Sequence, residues 1–237
     1  MLEQNVVSVA TLWEQLRRME EEGRFDGKPY PAGMVRFPFH LTGQGFFPGG
    51  DGLWRDALQI AQRSRGSLAV GGVMFLGNDF GTLRSYTKLR ARGFENPPTW
   101  RHVRLRIERA KLPSSLAFFT NAVMGLRDGG TALDKKDWER EPQFKSFCRE
   151  FLAFQIELLK PRLIVVLGPV ARATLSALDV GKLSNSGRFH ALQFDGLEST
   201  VYFCTHPYGD FNFDEERKKE DGRELREAWQ WAQAQNN

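Results

Sequence analysis

Three short apolar runs, Val73–Leu76, Leu116–Phe119 and Leu163–Leu167, stop abruptly: at Gly77, shortly before Asn121, and at Gly168. Runs this brief and this uniformly apolar suit strands buried on both faces, the condition of a parallel sheet covered by helices. Thr200–Cys204 reads as a further strand and Ala191–Phe194 as an edge strand. Helical patterns lie between them. Residues 7–22 place Leu12, Leu16 and Met19 among charges. Over Phe144–Leu159 the side chains of Phe144, Phe147, Cys148, Phe151, Leu152, Leu158 and Leu159 form one broad stripe. Pro169 suits the first turn of a helix that follows LIVVLG directly, and a charged helix is expected from Asp214 to Gln233, carrying Leu225 and Trp229.

Strands spaced by helices predict an α/β fold, a three-layer α/β/α sandwich around a central, mostly parallel four-stranded sheet. The 237 residues fit a single domain, 1–237, with an N-terminal helical and Gly/Phe-rich extension over about residues 1–65. Within that extension, residues 24–52 read as an ordered loop, because Phe37, Phe39, Phe46 and Phe47 need somewhere to dock. A short helix is expected over Leu53–Arg63. Loops beyond the carboxyl ends of such strands converge on one crevice. Gly77–Gly81, Asn121 and His206–Asn212 are therefore expected neighbours, although far apart in sequence.

Several function classes are disfavoured. The G-x-S-x-G elbow of a serine hydrolase, the Gly-Lys-Ser/Thr ending of a phosphate-binding loop and the spaced glycines of a dinucleotide site are missing. Two cysteines and four scattered histidines cannot build a four-thiolate iron–sulfur site, and they support a structural zinc site poorly. Cys148 and Cys204 are expected as thiols of a reducing compartment. The start MLEQNVVSVATLWEQL lacks the basic and apolar regions of a signal peptide, and no run of apolar residues is long enough to span a bilayer. A cytoplasmic location is expected. Formal net charge is +4, but Arg84 to Lys111 holds nine Lys or Arg against Glu95 and Glu108, a local net of +7. If those charges share a face they attract a polyanion; otherwise they are a solvated surface.

Three polar positions carry candidate chemistry. Asp79, at a strand end between two glycines, either orients a water, stabilises a cation or binds a metal, or else makes a local turn or helix cap. Asn121 offers a donor and an acceptor suited to reading a base edge, or holds its own loop. His206 either donates to an oxygen gaining negative charge or is a surface histidine.

Together, GVMFLGNDFG, FFTNAVMG, LLKPRLIVVLGPVARATL and THPYGDFN resemble, in order, four motifs of the uracil-DNA glycosylase superfamily, spanning roughly residues 70–212. The resemblance implies a uracil-DNA glycosylase-like fold and a DNA glycosylase that hydrolyses the N-glycosidic bond of a uracil-like or modified base flipped out of DNA. The alternative is a catalytically weak or inactive DNA-binding relative. Carried over by position, Asp79 places or activates the water, and the backbone around Asn78 and Phe80 binds a pyrimidine carbonyl. Asn121 reads the base and His206 stabilises it as it leaves. Phe94 stacks on it, with Phe80 or Tyr86 as alternatives. Arg84, Lys88 and Arg127 hold phosphates, and Pro207, Tyr208, Gly209 and Asn212 approach the duplex. No cofactor or metal is implied, the partner is DNA containing an altered base, and a monomer without an obligate protein partner is expected. Two departures stand out: Phe80 replaces the motif's usual Pro, and Tyr208 replaces the usual Ser after His-Pro.

Overall fold

The apolar runs become the strands that position everything else. The computed structural model describes residues 6–22, 30–36, 67–91, 98–128, 141–178, 181–186, 189–194, 196–204 and 215–235. In chain order these form β1 (Val6–Ser8), α1 (Val9–Glu21), β2 (Met34–Val35), β3 (Ser67–Ala69), β4 (Val73–Gly77), α2 (Leu83–Ala91) and α3 (Pro98–Ala110). Next come β5 (Ala117–Asn121), β6 (Leu126–Arg127), α4 (Pro142–Leu159), β7 (Leu163–Leu167) and α5 (Pro169–Ser176). The chain continues through β8 (Gly181–Ser186), β9 (Phe189–Phe194), β10 (Leu197–Cys204) and α6 (Glu215–Ala234).

The main sheet has six strands among the described residues, two more than the four expected, in the order β5-β4-β7-β10-β9-β8. Its first four strands are parallel, as expected, and β9 and β8 extend it by an antiparallel hairpin. The expected edge strand Ala191–Phe194 thus lies second from the edge. The true edge, β8, reads GKLSNS, too polar to signal a strand by periodicity. Every residue of β4, β5 and β7 is buried. Phe75 and Phe119 are register partners on neighbouring strands, and their rings stack at 5.2 Å.

Successive strand residues point to opposite faces, so β10 reveals the layers. Tyr202 donates its hydroxyl to Glu224 of α6 at 2.9 Å, whereas the neighbouring Phe203 lies under the Arg172 guanidinium of α5 at 4.5 Å. α6 and α5 therefore cover opposite faces of the sheet. The Tyr202 pKa is pushed well up, foremost by burial and then by Cys204 and Glu224. α1 packs on α4, and Leu12, Leu16 and Met19 join the same core as the strands. Tyr30 also belongs to that core, its ring 5.7 Å from Phe144 and its hydroxyl 2.8 Å from buried Glu20.

The basic stretch does not present all its charges to one face. Arg84, Lys88 and Lys111 are exposed, but Arg106 is buried in α3, where its guanidinium meets Asp221 of α6 at 3.3 Å and donates to Cys204 Sγ at 2.7 Å. Arg104 pairs with Glu108 at 3.3 Å. α3 and α6 are further joined by Arg226, which donates to the carbonyls of Arg109 and Ala110 and so satisfies the end of α3. No described helix is long and apolar enough to cross a membrane. The Phe-rich loop with Phe37, Phe39, Phe46 and Phe47, the expected helix Leu53–Arg63, Phe94 and the segment His206–Asn212 lie outside the described residues.

Cys148, buried in α4, accepts the Met124 N–H at 3.4 Å. Burial pushes its thiol up to about 12, against a smaller opposing pull from that N–H. In the unfolded chain the thiol ionises near 9.0, so above that pH the folded state holds a proton the unfolded state has lost, and stability falls as pH rises. The urea midpoint is expected to drop from about pH 9 upwards, and less steeply in Cys148→Ala. Tyr30 and Tyr202, both raised by burial, supply the remaining slope at higher pH. Equal slopes in the two proteins would discard this account.

Candidate active site

Because β5, β4, β7 and β10 run parallel, their carboxyl ends at Asn121, Gly77, Leu167 and Cys204 lie along the same edge of the sheet. The chain leaves β4 toward β5 on one side and leaves β7 toward β10 on the other. The boundary between β4 and β7 is thus the point where strand order reverses, the usual place for a ligand crevice in such sheets. Asn78 stands there. Its Oδ1 accepts the Ala171 N–H at 3.0 Å, satisfying one of the free donors at the start of α5. The helix has no side-chain cap of its own, since its N-cap is Gly168. Gly168 has φ of 108°, and a Cβ there would come within 2.7 Å of the Asn78 amide, so geometry and space both require glycine.

Asp79 is next in the chain and makes two contacts, both through Oδ1. It accepts the Gly81 N–H at 2.6 Å, closing a tight local turn, and lies 3.6 Å from Nη2 of Arg127. The turn is closed on its other side by backbone: Arg127 N–H donates to Gly81 O at 3.0 Å, and Thr82 forms a parallel bridge with Arg127. Met34 of β2 pairs with Arg127 from the far side, and the Asp128 N–H donates to Gly33 O at 2.8 Å. The segment after β5 is therefore held between the Asp79 turn and a piece of the N-terminal region. Arg127 is 14% exposed and Asp79 17%. Nε and Nη1 of Arg127 are buried and make no hydrogen bond. Each unspent buried donor costs about 1–3 kcal/mol.

Asn121 ends β5 in register with Gly77. Its side chain lies so close over Gly77 that a Cβ there would run into Oδ1. The backbone holds the two strand ends together, with Ala122 N–H donating to Gly77 O at 2.8 Å and Val123 N–H to Asn78 O at 3.0 Å. Asn121 is 2% exposed, yet among the described residues its Nδ2 has no hydrogen-bond partner. Phe80 and Tyr86 are buried in the core.

Asn78, Asp79, Phe80, Asn121 and Arg127 thus come together, while Arg84 and Lys88 stand exposed on α2 just beyond the turn. Phe94, His206, Pro207, Tyr208, Gly209 and Asn212 lie outside the described residues. Among the described residues no three His, Cys, Asp or Glu side chains cluster as a metal ion would need. Sequence reading missed three links: the Asn78 cap, the Gly77 cradle under Asn121 and the Arg127–Asp79 pair. The first had a signal, because Gly168-Pro169 opens a helix without a capping side chain, so the cap had to come from elsewhere. The other two join residues that only strand register brings together.

A family model described as the uracil DNA glycosylase superfamily matches residues 71–233, from the turn before β4 to the end of α6. No curated protein matches the chain.

If the Asn78 carboxamide caps α5, Asn78→Ala should lower the unfolding free energy by about 0.5–2 kcal/mol in urea titration. Asn78→Asp, which keeps the acceptor, should recover most of that. A midpoint unchanged by Asn78→Ala removes the capping role.

Proposed function

The chain belongs to the uracil-DNA glycosylase superfamily, which includes base-excision enzymes, and from that premise we propose that it hydrolyses the N-glycosidic bond of an altered base in DNA, leaving an abasic site. One observation carries most of this reading: the buried Asn121 amide, its Nδ2 unspent, at a strand end beside the Asp79 turn. An orphaned amide donor at the mouth of a crevice favours a ligand that brings an acceptor. A flipped base with a carbonyl on its pairing edge does so. Uracil carries such a carbonyl at its 4-position and hypoxanthine at its 6-position, where cytosine carries an amino donor and keeps its carbonyl at the 2-position.

In this reading the nucleotide leaves the stack at a cost of a few kcal/mol, partly recovered in the pocket. The C1′–N bond breaks with its electron pair passing to the base. A water oxygen then bonds to C1′, and its released proton passes toward Asp79 and solvent while the base takes one up. Asp79 favours the positively charged sugar, and His206 the negative charge on the leaving base. Asn78 and Phe80 lend backbone to a base carbonyl and Phe94 a stacking ring. Arg84 and Lys88 meet phosphates, while Pro207, Tyr208, Gly209 and Asn212 approach the duplex. The competing reading, a DNA-binding relative without chemistry, draws on Asp79 Oδ1 being already engaged by Gly81 and Arg127.

End-labelled DNAs carrying uracil, hypoxanthine, xanthine or 5-substituted cytosines, including glucosylated hydroxymethylcytosine, separate the two. Cleavage at abasic sites is expected after incubation with one base class. It should fall about 100-fold or more in Asp79→Ala, with DNA affinity largely kept. Salt-sensitive binding without abasic product from any substrate would establish the binding-only relative instead.

A further inference from the structure

We infer that Arg127 is a positioning residue for Asp79, fixing the carboxylate that handles the water, and that it is not a phosphate contact. This rests on the base-excision reading above. A side chain that grips backbone phosphate must present its charge to solvent, as exposed Arg84 and Lys88 do. The Arg127 side chain is instead 14% exposed, and its Nη2 lies 3.6 Å from Asp79 Oδ1.

The geometry suits positioning. Asp79 has one local restraint, the Gly81 N–H on Oδ1, which fixes one oxygen and leaves the carboxylate plane free to turn. The Arg127 Nη2 adds a second attraction on the same oxygen at 3.6 Å, an ion pair longer than a hydrogen bond, and biases the carboxylate toward one orientation. Both contacts fall on Oδ1, so Oδ2 is left for a water. Arg127 itself starts from a fixed point, since its backbone is bonded to Gly81, bridged to Thr82 and paired with Met34. An arginine whose buried Nε and Nη1 have no partner among the described residues is poorly explained by packing alone. An apolar residue would hold β6 equally well, because the backbone bonds do not depend on the side chain. What only the guanidinium supplies is the directed positive charge beside Asp79.

The test is a double-mutant cycle on Asp79→Asn and Arg127→Ala, read as the single-turnover excision rate at saturating protein, with Arg127→Lys as the conservative variant. Arg127→Ala is expected to slow the chemical step about 10- to 100-fold, with DNA affinity and its salt dependence unchanged. Arg127→Lys should restore part of the rate. In the Asp79→Asn background, Arg127→Ala should cost little more, because its partner is already gone. A second readout needs no turnover: affinity for DNA bearing a cationic pyrrolidine in place of the sugar, relative to a neutral tetrahydrofuran abasic site. The wild type should prefer the cation, and Arg127→Ala should lose that preference. Equal losses in both backgrounds, or weaker binding with a log–log salt slope reduced by about one, would overturn the inference and assign Arg127 to phosphate. A wild type that excises a base while Arg127→Ala matches it overturns this inference alone. A wild type with neither excision nor preference for the cation overturns the base-excision reading and this one with it.

Discussion

The parallel pairing of β4 with β5 brings Gly77 opposite Asn121, and the arrangement of the crevice depends on that register. In a parallel ladder, side chains at paired positions share a face, so a polar residue at the end of β5 is carried directly over the last residue of β4. Only a glycine at 77 leaves space for the Asn121 carboxamide. A shift of the register by one residue would turn Asn121 to the opposite face and bring Thr120 over Gly77 in its place. The stacked Phe75 and Phe119 rings two positions earlier hold the strands against such a slip.

Beyond the strand ends, segments that each lack something complete one another. α5 begins on Gly168 and lacks a cap, which Asn78 provides from the neighbouring strand. The loop after β4 turns sharply at Asp79, and the segment after β5 closes it through Arg127. That segment is fastened in turn by β2, so part of the N-terminal region outside the family match supports the turn that carries the carboxylate. The two asparagines divide their work by register. Asn78 spends its Oδ1 on the scaffold, while Asn121 keeps its Nδ2 unspent.

The parallel strands were legible because burial on both faces leaves no alternative to uniformly apolar sequence, and VMFL and LIVVL offer none. Asp79 and Asn121 could be singled out for the same reason: a polar residue that ends such a run has to lie at the sheet's edge. β8 was not legible, since GKLSNS is held by its ladder to β9 and carries no pattern of its own. Nor was the fate of Arg106 and Arg127. Arg106 sits in a basic run and Arg127 beside Asp128, and linear charge gives no sign that their partners, Asp221 and Asp79, lie across the fold. The cap on α5 was half visible, as a helix start with a missing donor partner.

Buried Arg106 and half-buried Arg127 qualify what the net charge means for binding. Arg106 joins α3 to α6 and reaches Cys204, the last residue of β10, immediately before the segment that contains His206. Arg127 stands beneath the Asp79 turn at the other end of the same row of strand ends. A planar guanidinium can address two partners in fixed directions, which a lysine ammonium on a flexible stem cannot. These two cations are thus spent on contacts within the fold. The field felt by a polyanion must come from exposed groups such as Arg84, Lys88 and Lys111. Composition counts all of these alike, but only the exposed set exchanges counterions with solvent and only the buried set fixes geometry. A basic segment of this kind therefore divides into attraction and architecture according to which side of each helix its residues occupy.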